Sequence, residues 1–529
     1  MKIISFSLYG SDKRYTYNAI INCKIAELLF PDWKCRFYID DTVPFEIIQT
    51  LYSLDNVQVS YQGSIKKHRL KHPMYWRMLA VVESSDDIIL VRDCDSWLSQ
   101  RDVIMVNEWL NTNKDFHIIR DHCHHRSPIM GGTWGCRNNF LKTQLIQLLY
   151  EYQKNKTYDE LSNDQVFLNA YIYPLIKDNY CVHGRFEQYP MPNEEHALNT
   201  PKINEYNDIE HVDFPFRTIC NINGQGHCND CNNIHLGYVG SIIRYRTENV
   251  NTKVEELISN RNNNKMIISF SLYNKRPKDV VNAIFNCFLA PKVYPGWLCR
   301  FYYDNTIPTD ILELLKTFRY VELIEMQPHR ASEAMLWRFL PASDPTVKAM
   351  ISRDADSWVS TREYKMVENW LFSDKNFHII RDHCYHSKKI MGGVWGVRNR
   401  ILPQMKELVD EFSKNDTYDQ GFLATQIYPL IENTLYVNDP HTPENHVVLR
   451  DQYHTDSSNG IPEYYSDDEP VEGLSFSKVH SLNKFECWHC KKTHETFVGA
   501  ILEHMTQESL NYLKQYCIEK NIIFTTMNL

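Results

Sequence analysis

The chain has 529 residues, of which 43% are hydrophobic and 23% are charged, and its 57 basic and 66 acidic side chains give a formal charge of −9. This is the composition of a globular protein with a large core, and it lacks the concentrated basic surface that nucleic-acid binding needs. No apolar run approaches the roughly 18 residues of a membrane-spanning helix, so we expect no membrane span.

The N-terminal segment, residues 1–9, is predicted to be a structural strand. Its apolar run is short, is broken by Ser5 and Ser7, and recurs at residues 265–273, where an export signal could not act. The 15 cysteines are an odd number in a chain too large to need disulfides, which favours a reducing compartment. We therefore expect a cytoplasmic location.

The sequence contains an internal duplication, with two copies of one unit in tandem. Residues 3–9 recur at 267–273, and 29 of 47 positions are identical between residues 92–138 and 353–399. Repeats of this length are complete domains rather than elements of a solenoid. We predict a first domain at residues 1–246, a linker at 247–265, where the Asn-rich sequence is a poor helix or strand former, and a second domain at 266–529.

Short apolar runs alternate with helical patterns along each copy. In the first copy the predicted elements are a strand at 3–8, a helix at 16–29, strands at 35–39 and 87–91 with a helix at 74–82 between them, a helix at 101–110, a strand at 116–119 and a helix at 140–152. This alternation predicts α/β domains with helices on both faces of a sheet and ligands at the carboxyl ends of the strands.

Two aspartates, two positions apart, follow the strand at 87–91 and its second copy, while the residue between them changes. Such carboxylates can converge on one hard divalent cation, Mn²⁺ or Mg²⁺, which would also bind the diphosphate of a nucleotide. A solvated loop that pairs with the preceding arginine is the alternative. The predicted metal ligands are Asp93 and Asp95, and Asp354 and Asp356. The preceding arginines, Arg92 and Arg353, are predicted to contact the nucleotide donor.

Three further features keep the same order in both copies. A Trp-Arg pair precedes the strand, and its guanidinium suits either a phosphate or a structural salt bridge. A Gly-Gly-x-Trp-Gly segment indicates either a backbone and aromatic face that approach a sugar or a tight turn beside a core tryptophan. An Asp-Gln pair at a helix start indicates either a reacting carboxylate and amide or a helix cap. The residues are Arg77, Gly131, Gly132, Trp134, Asp164 and Gln165, and Arg338, Gly392, Gly393, Trp395, Asp419 and Gln420.

A Cys-x2-Cys pair with a histidine four residues further on ends the shared pattern. It supplies three ligands of the type that zinc prefers, so a structural Zn²⁺ in each unit is predicted, with free cysteines as the alternative. The residues are Cys228, Cys231 and His235 in the first copy and Cys487, Cys490 and His494 in the second.

In this order, the motifs resemble those of A-type glycosyltransferases that use an Asp-x-Asp metal motif, in particular family eight and the related Arg-Asp-x-Asp-Ser sugar transferases. The resemblance covers nearly all of each copy. It implies two tandem GT-A-like domains, each a mixed, mainly parallel sheet flanked by helices. It also implies that the end of the first strand holds the nucleotide base, at Ser7 and Tyr9 and at Ser271 and Tyr273. The resemblance further implies that the late histidines, His235 and His494, are third ligands of the cation, although they lack the Lys-Pro-Trp that follows this histidine in family eight.

The resemblance implies a metal-dependent enzyme that transfers a sugar from a UDP- or GDP-sugar to a hydroxyl of a glycan, protein or small molecule, with one site in each domain. Asp164 and Asp419 would act as the base in an inverting reaction, or would lie beside the cationic centre in a retaining one. A nucleotidyltransferase, and a binding or scaffold protein with one or both units inactive, are the alternatives.

Overall fold

The structure is a computed structural model that divides into two compact units, residues 1–261 and 262–529. It describes residues 1–63, 70–83, 88–120, 127–137, 141–161, 163–176, 179–184, 248–273, 277–327, 331–381, 388–414 and 418–438, together with short strands at 197–199, 227–228, 233–234, 485–486 and 493–494. Within these ranges, no helix is both long enough and apolar enough to span a bilayer.

The first unit alternates strands and helices as expected. Its strands are β1 (Lys2–Leu8), β2 (Trp33–Ile39), β3 (Val57–Tyr61), β4 (Ile88–Arg92), β5 (Phe116–Arg120), β6 (Thr133–Arg137), β7 (Tyr180–Gly184), β8 (Ala197–Asn199), β9 (His227–Cys228) and β10 (Asn233–Ile234). Its α-helices are α1 (Lys13–Leu29), α2 (Phe45–Ser53), α3 (Leu79–Glu83), α4 (Gln100–Leu110), α5 (Lys142–Gln153), α6 (Asp164–Phe167) and α7 (Glu248–Asn260). Short 3₁₀ helices lie at Pro73–Met78, Asp159–Leu161 and Arg261–Asn263, and a π-helix lies at Leu168–Ile172.

The second unit repeats this order. Its strands are β11 (Lys265–Leu272), β12 (Leu298–Tyr303), β13 (Val321–Glu325), β14 (Val347–Ser352), β15 (Phe377–Ile380), β16 (Trp395–Arg398), β17 (Leu435–Asn438), β18 (Phe485–Glu486) and β19 (Thr493–His494). Its α-helices are α8 (Pro277–Val293), α9 (Thr309–Lys316), α10 (Thr361–Phe372), α11 (Met405–Phe412), α12 (Asp419–Phe422) and α13 (Tyr428–Ile431), with a 3₁₀ helix at Ala331–Ser343 and a π-helix at Leu423–Ile427.

Each unit is built on one mixed sheet. The strand order is β3-β2-β1-β4-β6-β5-β7-β8 in the first unit and β13-β12-β11-β14-β16-β15-β17 in the second. Within these two sheets, neighbouring strands are parallel except where β6 and β16 pair antiparallel with the strands on either side. Separate two-stranded antiparallel sheets are formed by β9 with β10 and by β18 with β19. The expected fold class, two α/β domains whose mainly parallel sheets are flanked by helices, is confirmed.

The central strand of each sheet is apolar on both faces because helices cover both. Ile3, Ile4, Phe6 and Leu8 of β1 are buried. Phe6 stacks on Phe37 of β2 with ring centroids 4.8 Å apart, and the second unit repeats the contact between its equivalent phenylalanines at 4.8 Å. Because a parallel strand ends at the same edge as its parallel neighbours, β1, β2 and β4 deliver the residues that follow them to one edge of the sheet.

The segment expected to be a linker contains a helix, so that prediction is wrong in its secondary structure. Helix α7 packs on α1 and α2 of the first unit. Val254 is fully buried, Glu255 accepts a hydrogen bond from Tyr17, and Arg261 Nε donates to Gln49 Oε1 at 2.9 Å. These tertiary contacts outweigh the low helix propensity of the asparagines.

A buried histidine in the second unit makes that unit sensitive to acid. His378 on β15 stacks on Trp370 and donates from Nε2 to Asn438 Oδ1 at 2.7 Å. Burial is the main cause that lowers the pKa of His378 to about 3. An unfolded histidine has a pKa of about 6.5, so below that pH the unfolded chain binds more protons than the folded unit. Stability is therefore present above about pH 6.5 and is lost as the pH falls.

We expect the free energy of unfolding of the second unit to fall by about 1.4 kcal/mol per pH unit below pH 6.5 through His378. His378→Gln should flatten this slope, as measured by urea unfolding between pH 7.5 and pH 5.5. The second unit gives the cleaner test, because burial raises the pKa of Asp40 in the first unit to about 6, which acts in the opposite direction. A slope that the substitution leaves unchanged would contradict the assignment.

Candidate active site

One arginine joins the two carboxylates that the sequence places far apart. Arg77, on the 3₁₀ helix before β4, donates from Nη1 to Asp93 Oδ1 and from Nη2 to Asp164 Oδ2, the second contact at 2.7 Å. The side chains of Arg77 and Asp164 are each 5% exposed, whereas that of Asp93 is 39% exposed. The first aspartate of the pair and the aspartate of the Asp-Gln helix therefore face one buried guanidinium.

The second unit repeats this arrangement. Arg338 donates from Nη1 to Asp354 Oδ1 and from Nη2 to Asp419 Oδ2, the second contact again at 2.7 Å. The exposure pattern is also the same, with Asp354 37% exposed and Arg338 8% exposed. The structure therefore brings together, in both units, the predicted arginine, the first predicted metal ligand and the predicted catalytic carboxylate.

The residue at the end of the first strand positions this arginine. Ser7 Oγ accepts the backbone N–H of Arg77 at 2.9 Å, and Ser271 Oγ accepts that of Arg338 at 3.0 Å. Contact of both serines with the nucleotide-sugar donor stays a prediction. In the structure, their hydroxyls tie the central strand to the helix that carries the arginine.

The Gly-Gly segment is required by the same two carboxylates. A Cβ on Gly131 would lie 2.8 Å from Asp164 Oδ2, and a Cβ on Gly132 would lie 2.5 Å from Asp93 Cγ. In the second unit a Cβ on Gly393 would lie 2.7 Å from Asp354 Cγ, and one on Gly392 would collide with Asp419. The glycines allow the backbone to pass directly over the carboxylates, which a side chain would displace.

The second aspartate of the pair has its own cation in the first unit. Arg14, in the first turn of α1, donates from Nη2 to Asp95 Oδ2 at 2.6 Å. Arg14 could not be identified from the sequence pattern, because it lies 81 positions from Asp95. The available signal was that the second copy also has a basic residue, Lys278, at the corresponding position.

Burial shifts the acid–base behaviour of this cluster. Burial raises the pKa of Asp164, and the neighbouring Arg77 opposes that rise. Burial also raises the pKa of Asp95, with Asp93 adding to the rise and Arg14 opposing it. Burial disfavours the charge on Arg77, but Asp93 and Asp164 outweigh it, so the pKa of Arg77 rises. Arg77 therefore stays charged, and Asp164 is a more basic carboxylate than an exposed one.

A buried asparagine holds the loop that carries the Asp pair. Asn22 on α1 donates from Nδ2 to the carbonyls of Cys94 and Ser96, and its Oδ1 accepts the N–H of Leu98 at 3.0 Å. Asn286 makes the same three bonds in the second unit. The backbone around both aspartates is therefore fixed by side-chain hydrogen bonds from α1 and α8.

The arginines directly before the Asp pairs lie in the core. This corrects the prediction that they contact the nucleotide-sugar donor. Arg92 is 1% exposed and forms a two-point ion pair with Asp102 on α4 at 3.0 and 2.8 Å. Arg353 makes the equivalent contact with Glu363 at 2.7 Å. Consecutive strand residues point to opposite faces, so Arg92 turns away from the side to which Asp93 points.

The tryptophans of the glycine segment are also core residues, which corrects their assignment as acceptor contacts. Trp134 is 1% exposed and stacks on Phe116 with ring centroids 5.2 Å apart. Trp395 is fully buried and stacks on Phe377 at 5.0 Å. Neither ring has a free face for a sugar, so the alternative that the sequence left open, a turn beside a core tryptophan, describes them.

The remaining predicted residues lie around the cluster. Asn163 caps α6 by accepting the N–H of Gln165 at 3.1 Å, so the Asp164 carboxylate is not the cap. Gln420 Oε1 accepts from the hydroxyl of Tyr418 at 3.0 Å. Tyr9 follows β1, where burial is the main cause that raises its pKa, and it also lies within electrostatic reach of Arg77. Tyr273 packs against the apolar cluster around Trp337.

The zinc prediction lies largely outside the described residues. Cys231, His235, Cys487 and Cys490 are not among them, and Cys228 and His494 are described only as backbone in β9 and β19. We still expect about one Zn²⁺ per unit, since thiolates bind zinc far more tightly than hard cations. Elemental analysis of the chain purified without chelator should find it. A zinc content near zero, with freely titratable cysteines, would contradict the prediction.

The Asp pairs carry oxygen ligands of the type that a hard divalent cation prefers. Among the described residues, no cluster of three or more His, Cys, Asp or Glu side chains forms a complete metal cage. Mg²⁺ is commonly bound by one or two carboxylates and completes its octahedron with water and phosphate oxygens, and Mn²⁺ accepts the same oxygen ligands. Asp93 and Asp95 offer that donor set at the edge of the sheet, and Asp354 and Asp356 offer it again.

Comparison with solved structures finds glycosyltransferases among the neighbours. The chain is similar to a glycosyltransferase involved in the glycosylation of the major capsid of PBCV-1, at 17% identity over 34% of this chain and 82% of that one, with a TM-score of 0.23. It is similar to the glycosyltransferase GlyE of Streptococcus pneumoniae, at 13% identity over 63% and 82% of the two chains, with a TM-score of 0.28.

A third similar structure belongs to another class of enzyme. It is the 4-diphosphocytidyl-2C-methyl-D-erythritol synthase of Anaerococcus prevotii, at 10% identity over 33% of this chain and 85% of that one, with a TM-score of 0.22. No protein-family model and no curated protein matches the sequence. Identities and TM-scores this low transfer no residue role to this chain.

Proposed function

We propose that the chain is a metal-dependent glycosyltransferase that moves a sugar from a nucleotide-sugar donor to a hydroxyl acceptor, with one active site in each unit. One observation carries the proposal. In both units an arginine bridges the first aspartate of an Asp-x-Asp pair and the aspartate of an Asp-Gln helix, with a Gly-Gly backbone packed on both carboxylates. A scaffold protein would have no need to keep this arrangement twice.

In the first unit, the charge and exposure of each residue in the cluster indicate its role. Asp93 and Asp95 would hold the cation, which supplies positive charge against the leaving nucleoside diphosphate. Arg77 carries a fixed positive charge beside them, held by Ser7, and its fork suits phosphate oxygens. Asp354, Asp356 and Arg338 would do the same in the second unit.

The buried aspartate of each unit is the candidate for chemistry at the sugar. Asp164 lies against Arg77, and its raised pKa makes it a better proton acceptor than an exposed aspartate. In an inverting reaction it would accept the proton of the acceptor hydroxyl. In a retaining reaction its negative charge would stabilise the cationic sugar carbon. Asp419 would have the same role in the second unit.

The test is release of nucleotide from nucleotide sugars. The chain should release UDP or GDP from a UDP- or GDP-sugar in the presence of Mn²⁺ and an acceptor. EDTA should remove this activity, and added Mn²⁺ should restore it, because the carboxylates without a cation repel the diphosphate.

The product distinguishes the alternatives. Release of pyrophosphate from a nucleoside triphosphate, with no release from nucleotide sugars, would favour a nucleotidyltransferase. Binding of a nucleotide without turnover would favour a scaffold protein. Turnover that is equal with and without EDTA would contradict metal dependence.

A further inference from the structure

We propose that Arg14 is a diphosphate-binding residue of the first unit that holds Asp95 until the cation and the nucleotide bind together. This inference rests on the proposed function. Arg14 pairs with Asp95 at 2.6 Å, and its side chain is 38% exposed while that of Asp95 is 11% exposed. The pair therefore lies at the boundary between the buried cluster and solvent, where it can exchange partners.

Both carboxylates of the proposed metal pair are engaged by arginine. Arg14 bonds one oxygen of Asp95, and Arg77 bonds one oxygen of Asp93. A hard cation would use the same two carboxylates as ligands, and the two guanidinium groups that pair with them would repel it. Binding of the cation alone is therefore opposed by the ion pairs that it must weaken.

The two arginines have unused donors that suit an anion. The Nε–H groups of Arg14 and Arg77 are buried and have no hydrogen-bond acceptor among the residues that the structure describes. A buried donor without an acceptor is costly, and such groups are rare in folded proteins. A guanidinium presents several N–H donors in one plane, and this geometry matches the oxygens of a phosphate.

The charge of the cluster explains why the two ligands should bind together. Two guanidinium groups face the three carboxylates of Asp93, Asp95 and Asp164, which leaves one net negative charge. This charge repels a diphosphate. A divalent cation reverses it to one net positive charge and frees Arg14 for the phosphate oxygens.

Each ligand therefore removes the obstacle to the other. Such coupling is reciprocal, so the nucleotide must raise the affinity for the cation by the same factor by which the cation raises the affinity for the nucleotide. Arg14 contributes to this factor in two ways, because it weakens binding of the cation alone and strengthens binding of the complete pair of ligands.

The experiment uses the full chain with Asp354→Asn and Asp356→Asn, so that the second pair does not contribute. MnCl₂ is titrated by calorimetry into this parent chain without nucleotide and with UDP or GDP. Arg14→Gln should tighten binding of Mn²⁺ alone about fivefold, the size expected for loss of one partly exposed ion pair. It should also weaken binding of the nucleotide in the presence of Mn²⁺, so that the coupling factor falls.

Two further variants control for charge and folding. Lys13→Gln removes the neighbouring positive charge, which pairs with Glu255 at 3.2 Å instead of the Asp pair, and it should change neither affinity beyond a small screened effect. Arg14→Lys keeps the charge without the planar fork and should give intermediate values.

The outcomes separate this inference from the proposed function. If Arg14→Gln behaves like Lys13→Gln, or if it weakens binding of Mn²⁺ alone, Arg14 is a structural partner of Asp95 and the inference is wrong. If the parent chain shows no Mn²⁺-dependent binding of either nucleotide, the proposed function itself fails in the first unit.

Discussion

Replacing Asp93 with alanine is expected to abolish transfer by the first unit and to spare transfer by the second, and Asp354→Ala is expected to do the reverse. Each substitution removes one of two cation ligands and leaves the bridging arginine with a single carboxylate partner. Stabilisation of a leaving group by a cation contributes several kcal/mol, and about 1.4 kcal/mol corresponds to a tenfold rate. We expect kcat/KM of the affected unit to fall about a thousandfold or more.

The measurement is the rate of nucleotide release with each donor for the parent and both variants. Asp32→Ala is the matched control, because Asp32 is an exposed carboxylate of the first unit outside the cluster. It should leave all rates unchanged. If either active-site substitution eliminates all transfer, or if neither affects any transfer, the two-site account is wrong.

Gly132→Ala is expected to have nearly as large an effect on the first unit, and Gly393→Ala on the second. The new Cβ would lie 2.5 Å from Asp93 Cγ in the first case and 2.7 Å from Asp354 Cγ in the second. The backbone around each glycine is buried at the edge of the sheet and has no room to shift. The carboxylate must therefore move, and its contact with the arginine must change. We expect loss of Mn²⁺-dependent nucleotide binding in that unit, with a cost in stability of about 1–3 kcal/mol from overpacking.

Gly135→Ala separates these two effects. A Cβ there would lie 2.8 Å from Leu90 Cδ2 and 2.9 Å from the carbonyl oxygen of Ile89, both in the core and away from the carboxylates. This substitution should lower the urea midpoint while folded protein keeps its nucleotide affinity in calorimetry. If Gly132→Ala also lowers only the midpoint, the glycine serves packing and not the carboxylate.

Much of the fold could be predicted because the sequence contains two copies of the same domain pattern. Positions that agree between the copies expose the strand and helix pattern, and β1, β2, β4 and β5 occur where the apolar runs indicated. Helix α7 could not be predicted in this way. Its asparagines disfavour a helix, and its stability comes from Val254 and other contacts with α1 and α2 that a local pattern does not contain.

The sequence predicts which residues form the site, but it does not predict which way their side chains point. Asp93 follows the end of β4 and Asp164 begins α6, and Arg77 joins the two carboxylates. Alternation along a strand predicts that Arg92 and Asp93 face opposite sides, but it does not predict which of the two faces the core. The contact of Arg14 with Asp95 depends on how α1 crosses the sheet, which no local spacing encodes.

The central claim is that each unit binds one divalent cation at its Asp pair. A crystal structure of the chain grown with MnCl₂ and a nucleoside diphosphate, with anomalous data collected at the manganese edge, tests it most directly. The account predicts two manganese peaks per chain, one between Asp93 and Asp95 and one between Asp354 and Asp356. Anomalous density at neither pair, or at one pair alone, would contradict it.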